Sequence, residues 1–220
     1  LLISDTTEKK ITEIQLKASE KSYKTLMESL PDIVYKLDEH GQFTYLNSSI
    51  KMLGYEPEEL IGRHFSVIIH PDDVKKISRY YALPKYKGII TGPKNAPKLF
   101  DERRTGDRKT INLQVRVISK SEYANNLNNY DKEKIGTVIS WGEVSAAGQY
   151  LLNPKNDKND FIGTIGIIRD ITGRKLEESS LKSREEFYRS IVESQIELIS
   201  RFMPDGAILY VNPAFCKYYS

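Results

Sequence analysis

Cysteine is almost missing from this chain: Cys216 is the single one in 220 residues. That excludes an intramolecular disulfide framework and any cysteine zinc site, and a reducing, cytoplasmic setting fits best. Long apolar runs are missing too, and no stretch approaches the roughly 18 residues of a membrane span. An excess of one charge is also lacking. With 33 Lys and Arg against 30 Asp and Glu, the net charge is +3, too mild for a nucleic-acid footprint. The opening Leu1-Leu2-Ile3-Ser4-Asp5 has no initiator Met, basic n-region or cleavage site. It reads as a piece of something longer with no visible targeting signal. What is present is ordinary: 39% hydrophobic residues exclude wholesale disorder, and the length predicts one large or two small domains.

The chain repeats itself. Shifted by 165 residues, its start lies on its end without a gap, with about 14 identities in 55 positions. Ile3, Asp5 and Thr7 meet Ile168, Asp170 and Thr172, and Glu28-Ser29 meets Glu193-Ser194. Gly41, Tyr45 and Asn47 meet Gly206, Tyr210 and Asn212. Fixed-offset self-similarity marks a tandem array. The expected organisation is the last strand of a preceding unit at 1–7, a connecting helix at 8–30 and a complete domain at 31–172. A second connecting helix follows at 173–195, and 196–220 is the truncated start of another domain.

Within the unit, Thr7 to Leu30 has no Pro or Gly and carries a loose helical stripe through Ile11, Ile14, Tyr23 and Leu26. Thr7 is the expected N-cap, and Pro31 stops the helix. The copy from Thr172 to Gln195 has the same character. Ile33 to Asp38 and Gln42 to Leu46, around a turn at Gly41, read as a hairpin. Asn47 is expected to cap a short helix ended by Gly54. Pro57 with Glu58-Glu59 opens a second helix, and His70-Pro71-Asp72-Asp73 a third running to about Tyr81. Residues 84–108 hold Pro84, Pro93, Pro97, Gly88, Gly92 and Gly106 and read as a long surface loop. Three longer strands follow: Thr110 to Ser119, Ile135 to about Tyr150, and Phe161 to Ile171. Polar linkers at 120–134 and 153–160 separate them.

Motifs that could carry chemistry mostly have a simpler reading. His70-Pro71-Asp72-Asp73 could be a metal or acid–base cluster, but Pro71 pre-sets a helical turn and both carboxylates suit its positive end. Arg63 and His64 could hold an anionic ligand, or His64 a haem iron. A solvent-facing Arg and a semi-buried His at a helix start are commoner. No Cys-x-x-Cys-His occurs, so covalent haem is excluded. Lys85 to Lys109 carries eight Lys or Arg against three Asp or Glu. It could clamp phosphate or an acidic surface, although a charge-rich Pro/Gly loop is more often solvated. No nucleophile–base set, phosphate loop or metal spacing is found, so no catalytic residue and no metal site is expected.

Several stretches in order resemble a PAS domain of the sensory S-box type. They are Gly41-Gln42-Phe43-Thr44-Tyr45-Leu46-Asn47, Leu53-Gly54-Tyr55, Glu58 to Arg63, His70 to Asp73, and Ile165 to Thr172 followed by Arg174-Lys175. The loop at 84–108 and the linker at 120–134 are longer than the family usually shows. The resemblance implies an α+β fold: a five-stranded antiparallel sheet, short helices enclosing a pocket on one face, and long flanking helices. Pocket candidates are Tyr35, Arg63, His64 and Trp141, while Asp170 and Thr172 mark the exit of the signal. The family's light-oxygen-voltage photosensors need an Asn-Cys-Arg-Phe thiol. Here Gly62-Arg63 is followed by His64-Phe65-Ser66, so thiol-adduct flavin chemistry is excluded and the cofactor is left open. Implied partners are a second copy through the connecting helices, adjacent PAS and output domains, and a small molecule. Neither nucleic acid nor membrane contact is expected. The implied parent is a bacterial or archaeal sensor histidine kinase in a phosphorelay. The competing readings are a ligand-free dimerisation and transmission module, or the input domain of a diguanylate cyclase or transcription regulator.

Overall fold

A computed structural model describes residues 2–92, 95–121, 140–153 and 158–219. Residues 135–139 of the expected middle strand, most of the linker 120–134 and positions 154–157 lie outside the described residues. The chain divides into two compact units, Leu1–Ile171 and Thr172–Ser220.

The first unit opens with helix α1 (Leu2–Ser29), followed by strands β1 (Ile33–Leu37) and β2 (Phe43–Leu46). Short helical turns come next: a 3-10 turn at Ser48–Leu53, α2 (Pro57–Leu60), a 3-10 turn at Phe65–Ile68, α3 (Pro71–Ile77) and α4 (Arg79–Ala82). Strands β3 (Thr110–Val117), β4 (Ser140–Asn153) and β5 (Lys158–Asp170) complete it. The sheet is five-stranded in the order β2-β1-β5-β4-β3, with every neighbouring pair antiparallel. Alternation decides which face is filled. Ile33, Tyr35 and Leu37 of β1 point with Leu113, Val115 and Val117 of β3 into one core, which Leu60, Phe65 and Ile68 close from the helical side. This is the expected α+β architecture of an antiparallel sheet with short helices on one face.

Local signals place the short elements. Gly54 ends its turn at φ 80° in the left-handed region. Pro57 sits at the first position of α2, where Glu56 and Glu59 form a reciprocal capping box. Two expectations are corrected. Residues 2–7 are the start of α1 and not a strand, and Thr7 lies inside the helix. The equivalent strand β5 is held between β1 and β4, whereas a strand at 2–7 would need a sheet edge for its backbone groups, and a helix satisfies its own. The expected single helix from His70 to Tyr81 breaks at Ser78, whose ψ is 134°.

The second unit contains α5 (Thr172–Ser194), a hairpin of β6 (Ser200–Phe202) with β7 (Ile208–Val211), and α6 (Pro213–Tyr219). Among the described residues, no helix is long and apolar enough to cross a membrane.

Candidate functional site

The space between the sheet and the short helices is filled by aromatic rings. Tyr35 on β1 is fully buried. Its ring stacks on Phe100 at 4.6 Å and 8°, and Phe100 stacks in turn on Phe65 at 4.7 Å. Phe43 meets Tyr35 edge-on at 6.2 Å. The Tyr35 hydroxyl donates to the Phe100 carbonyl at 3.1 Å, so the one polar atom of the stack is satisfied internally. Burial, reinforced by the charges of Asp101 and Glu102, pushes the Tyr35 pKa well above its ordinary value. The ring lies so close over the sheet that a Cβ at Gly166 would sit 2.3 Å from its Cζ; the opposite position on β5 must be glycine.

Phe100 arrives from the segment read as a solvated loop, and that reading is corrected. Leu99, Phe100 and Glu102 are buried. The Phe100 N–H donates to the Ile77 carbonyl at 3.0 Å, and Asp101 Oδ1 accepts from the Arg79 N–H at 2.9 Å. These two bonds take over backbone groups at the end of α3 and the start of α4, which accounts for the break at Ser78. Burial raises the Asp101 pKa against the backbone hydrogen bonds and the nearby Arg79 and His64 charges. Glu102 is gripped on both oxygens. Oε1 accepts from Arg104 Nε at 2.7 Å, and Oε2 from Thr110 Oγ1 at 2.7 Å.

The four pocket candidates do not converge. Tyr35 is in the core. Arg63 is exposed. His64 is half-buried at the cap of the turn Phe65–Ile68, where its Nδ1 accepts from the Ser66 N–H at 3.2 Å. A Cβ at Gly41 would stand 3.0 Å from His64 Nε2, so that nitrogen is packed against backbone. Burial lowers the His64 pKa, with Asp101 and Asp38 opposing. Trp141 lines a separate cleft of about 50 Å³ with Ile33, Leu53, Val117 and Ile168. That is room for a few waters, far below the roughly 300 Å³ of a small-molecule pocket.

His70 caps α3 through Nδ1, which accepts from the Asp72 N–H at 3.3 Å. Asp73, expected to face the helix end, instead reaches across to β3. Its Oδ1 and Oδ2 accept from Arg116 Nη2 and Nε at 2.8 and 3.0 Å. Burial would raise the Asp73 pKa, but these bonds outweigh it and the net direction is down. Among the described residues, no group of His, Cys, Asp and Glu could hold a metal ion. At the far end, Asp170 closes β5 and Thr172 opens α5. Between them Ile171 is buried, with its N–H bonded to the Trp141 carbonyl at 2.8 Å.

A residue expected only as a cap turns out to be the joint of α1. The fully buried Asn47 makes no side-chain cap bond. Its Oδ1 accepts from the Val34 N–H at 2.9 Å, and its Nδ2 donates to the carbonyls of Met27 and Asp32 at 2.9 and 3.0 Å. Beside it, Glu28 accepts from the Tyr45 hydroxyl at 3.2 Å and the Ser48 N–H at 2.8 Å. In the second unit Asn212 repeats the pattern with the Ile199 N–H at 3.0 Å and the Glu197 carbonyl at 2.8 Å. The internal repeat at offset 165 could have found this pair.

Comparison with known proteins bears on this geometry. Residues 21–85 match the family model PAS, the PAS fold. The blue light receptor lreA of Aspergillus flavus is 40% identical over 57 residues, which cover 26% of this chain and 7% of that protein. The White collar 1 protein of Neurospora crassa is 27% identical over 195 residues, covering 78% of this chain and 16% of that protein. The chain therefore spans only a small part of the length of the curated relatives it matches. Among solved structures, the PAS domain of an HTR-like protein from Haloarcula marismortui has a TM-score of 0.44 at 18% identity, covering 74% of this chain and 99% of that one.

Proposed function

We propose, on the premise that this chain contains a PAS-fold domain, that its first unit is a sensory relay whose interior is filled by its own side chains. The observation that carries this is Phe100, stacked between Tyr35 and Phe65 where a core ligand would have to lie. The domain itself is not catalytic. Movement of α1 reaches the sheet through Asn47 and Glu28, and β5 leads through Ile171 into α5. Exposed Ile11, Ile14 and Leu26 on α1 support pairing with a second copy along that helix.

One relative is named a blue light receptor. Light sensing through a cysteine adduct is not carried over, because residues 8–172 contain no cysteine. We place the chain in a longer cytoplasmic signalling protein. A sensor histidine kinase in a phosphorelay is the first choice of output, and a diguanylate cyclase or transcription regulator the second. Only the family resemblance supports that choice.

Native mass spectrometry of the purified chain, with a denatured sample beside it, tests the reading. The expected result is a dimer carrying the polypeptide mass alone. Excess mass that survives exchange into high salt and disappears only on denaturation, as a molecule enclosed in the core would, would replace the relay by a ligand sensor. As a check on the packing, Phe100→Ala is expected to cost about 3–5 kcal/mol in urea unfolding. A near-neutral effect would mean that the interior is not closed by this ring.

A further inference from the structure

The segment that delivers Phe100 continues into a basic cleft on the outside of the same unit. We propose that this cleft, formed by Arg103, Arg104, Thr105, Arg108, Tyr150 and Asn159, binds a phosphate-bearing small molecule. The inference goes beyond the relay reading, since the ligand sits outside the aromatic core and the core stays filled.

The scaffold under the cleft is pinned from three sides. Glu102 is fully buried, holds Arg104, and accepts the Thr164 hydroxyl on its carbonyl at 2.8 Å. The Tyr150 hydroxyl donates to the Arg103 carbonyl at 2.7 Å, and the Gly148 N–H to the Arg104 carbonyl at 3.0 Å. A Cβ at position 148 would lie 2.1 Å from the Arg103 oxygen, so β4 comes this near only because residue 148 is glycine. The arginine pair therefore stands on fixed backbone and does not belong to a waving loop.

Its charges are only partly used. Arg104 is spent on Glu102. Arg103 lies 4.4 Å over the Phe161 ring and donates to the Glu39 carbonyl at 3.0 Å, both neutral partners. Exposed Arg108 reaches the Thr91 hydroxyl at 3.4 Å. Among the described residues, neither Arg103 nor Arg108 has a carboxylate partner, and no Asp or Glu lines the cleft. Arg79 stands in the same field: burial, with the charge of Arg103, pushes its pKa below the ordinary value.

Two guanidinium forks with spare N–H donors, joined by a threonine hydroxyl and a carboxamide, suit a multiply charged oxyanion. The opening, about 620 Å³, is the size of a metabolite and not of a nucleic-acid groove. A chain of net charge +3 does not extend the patch into a phosphate-tracking stripe.

Isothermal titration calorimetry with inorganic phosphate and pyrophosphate, and with sulfate as a control anion, tests the assignment on the purified chain. Saturable binding of pyrophosphate is expected, weakened at least about tenfold in Arg108→Gln and in Arg103→Gln. Lys75→Gln, on α3 and outside the lining of the cleft, is expected to bind like the parent. Arg108 is exposed, so its variant is expected to keep the parent's thermal unfolding, and loss of binding there reads the site and not the fold. Absence of saturable heat with both phosphates, affinity in the two arginine variants equal to the parent's, or sulfate binding as tightly as pyrophosphate would each overturn the proposal. None of these outcomes depends on whether the aromatic core holds a ligand.

Discussion

At the scale of single residues, the joint between α1 and the sheet rests on a carboxamide and not on a charge. Asn47 offers one acceptor and two donors, and the structure uses them on the Val34 N–H and the Met27 and Asp32 carbonyls. Met27 is in the last turn of α1, whose carbonyls have no partner within the helix, Asp32 lies between helix and strand, and Val34 is the second residue of β1. An ion pair could not do the same work, because a carboxylate cannot donate and an ammonium cannot accept. Asn47→Ala is therefore expected to lower stability by about 2 kcal/mol, the cost of stranding buried polar groups. Asn47→Asp, which keeps the acceptor but loses both donors, should fall between the two. Urea unfolding measures both. An Asn47→Ala cost below about 0.5 kcal/mol would show that water replaces the side chain and that α1 is not jointed there.

At the scale of elements, the segment 99–102 does what three helical turns and a sheet could not do alone. It fills the core with Phe100 and divides α3 from α4 by capping the Arg79 N–H with Asp101. The capping carboxylate is buried, which raises its pKa. The folded state then holds the Asp101 proton more tightly than the unfolded chain, so stability falls as pH rises from the ordinary aspartate value near 4 through the raised one. Asp73 works in the opposite direction. With its pKa lowered, its contribution is present above the ordinary value and is lost as pH falls through the lowered one. Asp101→Asn keeps a side-chain acceptor for Arg79 but removes the buried charge. The variant is expected to be more stable than the parent above the Asp101 pKa and to converge with it toward about pH 4. Thermal unfolding across that range checks it, and a variant less stable at every pH would show that the charge itself holds the cap.

The same segment marks the limit of what could be read in advance. Gly54, Pro57 and His70-Pro71 announced their helices because a φ preference or a missing N–H acts within one turn. Leu113, Val115 and Val117 mark the core face of β3 because the pleat has a period of two, while Ile111 is exposed beyond a register shift. Phe100 and Asp101 act on Ile77 and Arg79, more than twenty residues earlier. Their apolar neighbour Leu99 was hidden among Pro, Gly and Lys. Of the residues named as pocket candidates, only Tyr35 reached the interior. Arg63 and His64 follow a Gly-Arg motif that describes a turn and not the direction of a side chain, and Trp141 on β4 lines only the small cleft.

At the scale of the whole molecule, the two compact units are of unequal self-sufficiency. The core cluster of the first runs from Ile33 to Ile168 and lies entirely within Leu1–Ile171. There the hairpin β1–β2 is completed by β5 along the free edge of β1. In the second unit, β6 and β7 make a two-stranded sheet on which Phe202 is 53% and Ile208 60% exposed. An isolated hairpin of that kind is marginal in water, even with Asn212 repeating the bonds of Asn47. A chain cut after Ile171 is therefore expected to unfold cooperatively in urea, with the midpoint of the main transition of the full chain. Hydrogen exchange of the full chain should protect β1, β4 and β5 by the global stability and leave β6 and β7 exchanging fast. If removal of 172–220 lowered the midpoint by more than the equivalent of about 1 kcal/mol, or if β6 and β7 were protected like β5, the two units would share one folding transition. A signal passing from one to the other would then be a change within a single cooperative body, not a relay between two.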